Sequence, residues 1–138
     1  EALNLALDGV GGKTCVHICF GYAALIHEWP EGYSFLPEFA ETCCDQVSIE
    51  TAQSDLDCSI LKSLKSKDIL LGVIDLSNSE IESVEVIKQR VKKALEFVDA
   101  QNIILAPDCG MKYLSRKSSF GKLKNMVQAA TELRKEFE

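Results

Sequence analysis

The chain has 138 residues, 46% of them hydrophobic and 26% charged, which is enough apolar material for the core of one domain and too much for a disordered chain. Its formal net charge of -6, with Lys and Arg scattered among acidic residues, argues against nucleic acid or an anionic membrane as a partner. No apolar run reaches the roughly 18 residues of a membrane span and no signal-peptide pattern opens the chain, so we expect a cytoplasmic protein.

Residues 1–8 have the amphipathic pattern of the last turns of a helix, which Gly9 and the pair Gly11 and Gly12 end. No initiator Met precedes this helix. We therefore expect residue 1 to be a cut within a longer protein and not a natural start.

From residue 14 onward, short apolar runs typical of strands alternate with segments of helical periodicity. The run 69–74 is apolar except for Gly72, which favours a strand buried on both faces. Ser54 is a suitable helix cap, and Ser79 with Glu82 has the pattern of a capping box. The predicted strands are 14–20, 46–50, 69–74 and 102–106; the predicted helices are 35–43, a segment from Ser54, a segment from Ser79 to about residue 98, and a segment from Ser118 or Ser119.

The three longer predicted helices each carry an apolar stripe, which we interpret as the side that faces the core and not as a cofactor-binding surface. The stripes are Leu56, Ile60, Leu61 and Leu64 in the first helix, Val84, Ile87, Val91, Ala94, Leu95 and Val98 in the second, and Leu123, Met126, Val127, Ala130 and Leu133 in the third.

Strands that alternate with helices predict right-handed βαβ crossovers and one parallel sheet. Four such units are present, whereas a closed (β/α)₈ barrel typically needs about 250 residues. Half a barrel leaves two unpaired edges and an uncovered interior. We therefore predict that residues 1–138 are a partial barrel domain, the C-terminal half of a (β/α)₈ TIM barrel, completed by upstream sequence or by a partner chain. A compact four-stranded doubly wound domain is the alternative.

Six cysteines would suit the disulfide framework of a small secreted domain, but the core-rich composition and the lack of a secretory leader favour reduced thiols. No two cysteines are spaced as CxxC, so local spacing predicts neither a zinc finger nor a thioredoxin-type motif. We interpret Cys43, Cys44 and Cys58 as small buried hydrophobes, and Cys15 as a packing residue at the start of its strand.

Three of the predicted strands end in residue types that bind metal ions: His17 with Cys19, then Glu50, then Cys109. Side chains two residues apart in a strand lie on one side about 7 Å apart, so His17 and Cys19 can share an ion. Because the carboxyl ends of parallel strands meet at one edge of a sheet, we expect Glu50 and Cys109 to join them. An imidazole, two thiolates and a carboxylate predict a zinc site, and the exchangeable carboxylate suits a site that admits a substrate.

Taken singly, each of these residues has a structural explanation, because a buried Cys usually packs and a strand His is usually a satisfied core residue. The prediction depends on their convergence. Asp108 could orient a ligand or accept a bond from a loop amide, and it could equally cap the turn at Gly110. Asp75 ends the third strand and either faces the pocket or forms a turn. Neither carboxylate is assigned a catalytic role beyond these possible supporting ones.

Four runs occur in a fixed order: His17-Ile-Cys19, Ile49-Glu50-Thr51-Ala52-Gln53-Ser54-Asp55, Gly72-Val73-Ile74-Asp75 and Pro107-Asp108-Cys109-Gly110-Met111-Lys112. With the closing segment 124–130 they resemble, over nearly the whole chain, the C-terminal catalytic barrel of cobalamin-independent methionine synthase and its shorter relatives. The resemblance implies a zinc-dependent methyltransferase that moves a methyl group from a methylated folate to the sulfur of homocysteine. The zinc ligands of the family fall on His17, Cys19, Glu50 and Cys109.

Coordination to zinc would hold the homocysteine sulfur as a thiolate, with Glu50 the ligand most easily displaced.

The chain departs from the family at one position. Where the full-length enzymes have a histidine two residues after the strand-end aspartate, this chain has Ser77 after Asp75. A hydroxyl cannot do the acid work of a histidine near neutral pH, so the methyl donor stays open. The other histidine, His27, is expected on a surface loop.

Three functions stay open at this point. The first is a zinc methyltransferase that acts on homocysteine. The second is a zinc alkyltransferase that activates another thiol, such as coenzyme M. The third is a non-catalytic fragment that keeps the fold and lacks the rest of the barrel.

Overall fold

A computed structural model describes residues 1–21, 33 and 35–137. Within these ranges four strands form one sheet, and each neighbouring pair is parallel. The strands are β1 (Cys15–Ile18), β2 (Gln46–Glu50), β3 (Asp68–Ile74) and β4 (Ile103–Pro107). The helices are α1 (Ala2–Leu7), α2 (Leu36–Phe39), α3 (Val84–Leu95) and α4 (Arg116–Phe137), with 3₁₀ helices at Cys58–Leu64 and Ala100–Asn102. All four predicted strands are confirmed.

The order of the strands in the sheet follows their order in the chain, β1-β2-β3-β4. Right-handed crossovers between strands in this order all place their helices on the same face of the sheet. A doubly wound sheet instead reverses its order at a switch point and carries helices on both faces. The half-barrel prediction is therefore confirmed, and the doubly wound alternative is wrong.

The two faces of the sheet differ in burial. Val47 and Ile49 of β2 are fully buried, as are Ile69 and Leu71 of β3, and these residues pack in the core with the helices. The opposite face is open at both edges of the sheet, where Cys15 is exposed on β1 and Ile104 on β4. The prediction that Cys15 packs in the core is wrong, because its strand is an edge strand and its side chain is not covered.

The sheet curls strongly toward its open face. Three strand spacings separate β1 from β4, about 14 Å in a flat sheet. Yet the Sγ atoms of Cys19, just past β1, and Cys109, just past β4, are 3.5 Å apart. Two cysteine side chains cannot span the flat-sheet distance, so the carboxyl ends of the strands converge as they do in a barrel.

The segment predicted as a helix over 35–43 forms only the single turn α2. Pro37 stands in the first turn of this helix, and the Thr42 hydroxyl donates to the Phe39 carbonyl at 2.7 Å, which satisfies a terminal carbonyl by a side chain. The chain then turns into β2. Within this turn Cys44 is buried, whereas Cys43 is exposed, so the prediction of burial is correct for Cys44 and wrong for Cys43.

The helix predicted from Ser54 is a 3₁₀ helix that begins at Cys58. Its cap is Asp57, whose side chain accepts from the Ser59 amide, while the Ser54 hydroxyl donates to the Glu50 carbonyl. The buried residues of this helix are Cys58, Leu61 and Leu64, which are spaced by three as the 3₁₀ repeat requires. Leu61 and Leu64 of the predicted stripe are therefore buried, whereas Ile60 is only partly buried and Leu56 precedes the helix, so the stripe is partly correct and the period of the helix was wrong.

The two long helices begin at other residues than predicted. Ser83, and not Ser79, caps α3 by accepting from the Val86 amide, and α3 ends at Leu95. The α4 helix begins at Arg116, where Ser115 Oγ accepts from the Ser118 amide.

The inward stripe of α4 is only partly correct. Leu133 is buried, but Leu123 and Val127 are exposed, and Lys122 and Ala129 are buried instead. No helix in the described part of the chain combines the length and the hydropathy of a membrane span.

Candidate metal centre

The four predicted ligands meet at the carboxyl ends of the strands. One donor atom each from His17, Cys19, Glu50 and Cys109 lies within 4.8 Å of all the others. The two Sγ atoms are 3.5 Å apart, close to the separation of two thiolates that hold one tetrahedral ion at about 2.3 Å each. The structure thus brings together residues from β1, β2 and the loop after β4 as a group able to hold one metal ion.

Glu50 is the member of the group whose environment most favours a cation. Its side chain is fully buried, and neither carboxylate oxygen has a hydrogen-bonding partner among the described residues. Burial raises the pKa of this carboxyl, and the nearby Cys19 thiol and Phe20 amide oppose the rise only in part. A buried carboxylate without a partner is costly, and a bound cation supplies the missing charge.

His17 is oriented by the neighbouring strand. Its Nδ1 lies 2.9 Å from the hydroxyl of Ser48, the residue that pairs with it in the β1–β2 register. When Nδ1–H donates to Ser48, the lone pair of Nε2 is free to bind a metal. Burial lowers the pKa of His17, so the neutral form that metals require is favoured.

The thiol of Cys19 is protonated when no ion is bound. Burial, and next the nearby Glu50 carboxyl, raise the pKa of Cys19 to about 12, while the Gly21 amide, which donates to Sγ at 3.1 Å, acts against them. A metal ion reverses this preference, since coordination removes the thiol proton.

Asp108 ties the loop after β2 to the loop after β4. It is fully buried and accepts from the amides of Ala52, at 3.2 Å, and Gln53, at 2.7 Å. Burial raises the pKa of Asp108 to about 7. Of the three roles considered for it, accepting from a loop amide is the one that the structure has. Asp108 directly precedes Cys109, and its partners Ala52 and Gln53 lie just after Glu50. These hydrogen bonds therefore connect the two segments that carry Glu50 and Cys109.

Gly72 makes room for Asp108. A Cβ atom at this position would lie 2.4 Å from Asp108 Oδ1 and 2.7 Å from the Ile49 carbonyl oxygen. Only a residue without a side chain fits between β2 and the irregular register of β3 and β4 here.

Asp75 forms a turn at the end of β3. One of its carboxylate oxygens accepts from the Ser77 amide at 2.7 Å and the other from the Asn78 side chain at 3.0 Å. The turn is therefore the role that the structure assigns to Asp75. Ser77 is exposed. It stands at the position where the family resemblance implied a histidine. His27 lies outside the described residues.

Sequence reasoning missed three supports of the site. Ser48 gave no signal because a serine in a strand is unremarkable. Tyr33 is buried and bridges two strand ends: its hydroxyl donates to the Ile18 carbonyl at 3.1 Å and accepts from the Glu50 amide at 2.9 Å. No local pattern marks it, because its partners are 15 and 17 residues away.

The third support is a buried ion pair under the end of β3. Lys122 donates to Glu82 at 3.0 Å and to the Asp75 carbonyl at 2.8 Å, and Glu82 accepts from the Asp75 amide at 2.8 Å. Arg90 joins Glu82 at 3.4 Å. The Asp75 backbone is thus held on both sides, with α3 and α4 tied to the strand. Glu82 was predicted only as part of a capping box, and Lys122 was not part of the predicted apolar stripe of the last helix.

A curled parallel half-barrel with four side chains able to hold a metal ion at the carboxyl ends of its strands defines a domain of the (β/α)₈ class with a candidate metal site. The chain belongs to the family described as the catalytic domain of cobalamin-independent synthase, whose model matches residues 8–132.

Relatives of this family are similar along the whole chain. A methionine synthase of Pyrococcus horikoshii is 37% identical and one of Pyrococcus furiosus 35% identical, each over 100% of this chain and 38% of its own length. A solved B12-independent methionine synthase from Shewanella sp. W3-18-1, in complex with selenomethionine, matches with a TM-score of 0.88 and 30% identity over 98% of this chain and 42% of its own. The chain therefore spans less than half the length of these relatives.

Proposed function

We propose that His17, Cys19, Glu50 and Cys109 bind one zinc ion. The observation that carries the proposal is the convergence of an imidazole, two thiols and an unpartnered buried carboxylate within 4.8 Å. Nitrogen and thiolate donors suit zinc, and they disfavour magnesium and calcium, which take oxygen ligands. Six free cysteines fit a cytoplasmic location, where thiols stay reduced.

We further propose that the domain takes part in methyl transfer to the sulfur of homocysteine, forming methionine, with a methylated folate as donor. Family membership supports this reaction, as does selenomethionine, a methionine analogue, in the Shewanella relative. Zinc, when bound, supplies the acidity that keeps a substrate thiol as a thiolate nucleophile at neutral pH.

The residues of this chain have separate tasks in that reaction. Cys19 and Cys109 supply electron-rich sulfur ligands, and Ser48 sets the ring nitrogen that His17 presents. Glu50 would be the weakest donor of the four and therefore the one that a substrate sulfur would most easily displace. Asp108 keeps the loops that carry Glu50 and Cys109 in a fixed relation. The rest of the barrel, from upstream sequence or a partner chain, is proposed to cover the open face and bind the amino acid.

One observation favours a second candidate. Ser77 is exposed and cannot protonate a folate leaving group as a histidine can, so a zinc alkyltransferase acting on another thiol, such as coenzyme M, uses the same ligands equally well.

Zinc analysis of purified, metal-reconstituted protein tests the proposal. We expect one equivalent of zinc per chain, lost in Cys109→Ser and retained in Cys43→Ser, whose thiol is exposed and contacts Asn4. Less than half an equivalent in the unmodified protein would contradict both enzyme functions and favour the non-catalytic fragment. Zinc-edge X-ray absorption then separates the two enzymes, because only the true acceptor thiol adds a sulfur to the metal.

A further inference from the structure

The two cysteines of the metal centre lie close enough to react with each other. Their Sγ atoms are 3.5 Å apart, and a disulfide bond is about 2.05 Å long, so the sulfurs need to approach by only about 1.5 Å. Both residues lie just past their strands, Cys19 after β1 and Cys109 after β4, so neither is held in the hydrogen bonds of the sheet.

Oxidants can reach this pair. Cys19 is exposed and Cys109 half-buried, while Cys44 and Cys58 are buried. The two other exposed thiols, Cys15 and Cys43, provide internal controls for simple accessibility.

We propose that Cys19 and Cys109 form a reversible disulfide in the metal-free protein, and that a bound zinc ion protects them from this oxidation. The protection rests on the proposed function, whereas disulfide formation does not. The pair is then a redox-modification site: oxidation removes both sulfur donors at once and leaves only His17 and Glu50, too few for a stable zinc site.

A small disulfide, such as oxidised glutathione, can act as the oxidant that forms the Cys19–Cys109 bond. Cys109 attacks a sulfur of this disulfide as its thiolate, forming a mixed disulfide and releasing one small thiolate. Cys19 then gives up its proton to the released thiolate and attacks the Cys109 sulfur of the mixed disulfide, which forms the Cys19–Cys109 bond and releases the second small thiolate. Two electrons pass to the oxidant, whose two thiolates take up the two cysteine protons.

The test uses intact-mass and peptide analysis. Metal-free protein is treated with oxidised glutathione, then alkylated and digested. We expect a linked peptide pair containing Cys19 and Cys109, and two fewer alkyl groups than in the reduced protein. Cys15→Ser and Cys43→Ser should form the link at the same rate, whereas Cys19→Ser should stop at a mixed disulfide on Cys109. Dithiothreitol should restore both thiols and zinc uptake.

Zinc at 100 times its dissociation constant leaves about 1% of the protein metal-free, so the link should form about 100-fold more slowly. Absence of the Cys19–Cys109 link under conditions that modify Cys15 would overturn the disulfide. An unchanged rate in protein shown to hold zinc would overturn the protection. A protein that binds no zinc but still forms the link contradicts the proposed function and leaves the disulfide supported.

Discussion

At the residue scale, Glu50 holds a buried carboxylate that lowers the stability of the metal-free protein. The side chain has no hydrogen-bonding partner among the described residues, and burial raises its pKa above the ordinary value of 4.5. We predict that Glu50→Gln raises the free energy of unfolding of the metal-free protein by about 1 kcal/mol. Zinc affinity should fall by more than the roughly 10–100-fold typical of losing an outer hydrogen bond to a ligand.

The stability gained in Glu50→Gln should depend on pH. A carboxyl whose pKa is raised by folding costs stability as the pH rises above 4.5, and it costs nothing at lower pH, where it is protonated in both states. Urea unfolding of the two proteins should therefore diverge above this pH and coincide below it. Glu41→Gln, at an exposed position, is the control and should change neither stability nor zinc binding. Equal stability at neutral pH would contradict the prediction.

In the proposed zinc site, Ser48 would act on the metal only through its contact with His17. Ser48→Ala removes the oxygen that lies 2.9 Å from His17 Nδ1 and leaves the four donors in place. We predict a fall in zinc affinity of about 10–100-fold, measured by competition with a coloured chelator. The matched control is Ser63→Ala, because Ser63 donates only to the Ile60 carbonyl in the 3₁₀ helix. If both variants bind zinc as the parent does, Ser48 does not orient the ligand.

The group of four could be predicted at this scale because His, Cys and Glu are metal-binding residue types and these four stand together at strand ends. Ser48 and Tyr33 could not, because a serine or tyrosine carries no such information until the register of β1 against β2 is known. Asp108 was recognised as a support, but its partners in the loop after β2 depend on how far the sheet curls.

At the scale of elements, Gly72 controls how β3 meets β2 and β4. In Gly72→Ala the new methyl group would lie 2.4 Å from Asp108 Oδ1 and 2.7 Å from the Ile49 carbonyl oxygen. Relief of the second clash would require the backbone of β2 to move. We predict a loss of about 1–3 kcal/mol in the free energy of unfolding, with weaker zinc binding because Asp108 is displaced. Gly11→Ala, where a Cβ meets no atom within 4 Å, should leave both within about 0.5 kcal/mol.

The ion pair between α4 and the end of β3 is the second feature at this scale. Lys122 is fully buried, and its partner Glu82 nearly so. Lys122→Met would leave a buried carboxylate with only Arg90 as a countercharge, and we predict a loss of about 3–5 kcal/mol in chemical denaturation. Lys93→Met, which removes an exposed pair with Asp55, should cost less than about 0.5 kcal/mol. A small loss in Lys122→Met would mean that the pair is not important for stability.

Elements were predicted best where burial alone decides them. All four strands are short apolar runs, and β2 and β3 are buried along most of their length, so their existence followed from composition, with errors of a residue or two at the ends. The 3₁₀ helix and the start of α3 were predicted less well, because Ser54, Ser79 and Ser83 are equally good caps by type. Asp57 and Ser83 are the caps because the preceding loops place their side chains within hydrogen-bond distance of the Ser59 and Val86 amides.

At the scale of the whole molecule, the chain is a half-barrel with an exposed apolar groove beside its last strand. The groove lies between α4 and β4 and includes Val127, which is 62% exposed, and Phe137, which is 58% exposed. The sequence predicted Val127 to be buried because its helical spacing matches the core stripe. Spacing reports which side of a helix is apolar, but it does not report whether another element covers that side.

An apolar groove of this kind should bind a dye that fluoresces in apolar surroundings. We predict that Val127→Glu lowers this fluorescence by about half or more without lowering the free energy of unfolding by more than about 0.5 kcal/mol, because the side chain contributes little to the core. Phe120→Glu is the matched control: Phe120 is 71% exposed but lies outside the groove, so its replacement should leave most of the signal. Equal losses in the two variants would mean that scattered apolar residues, and not the groove, bind the dye.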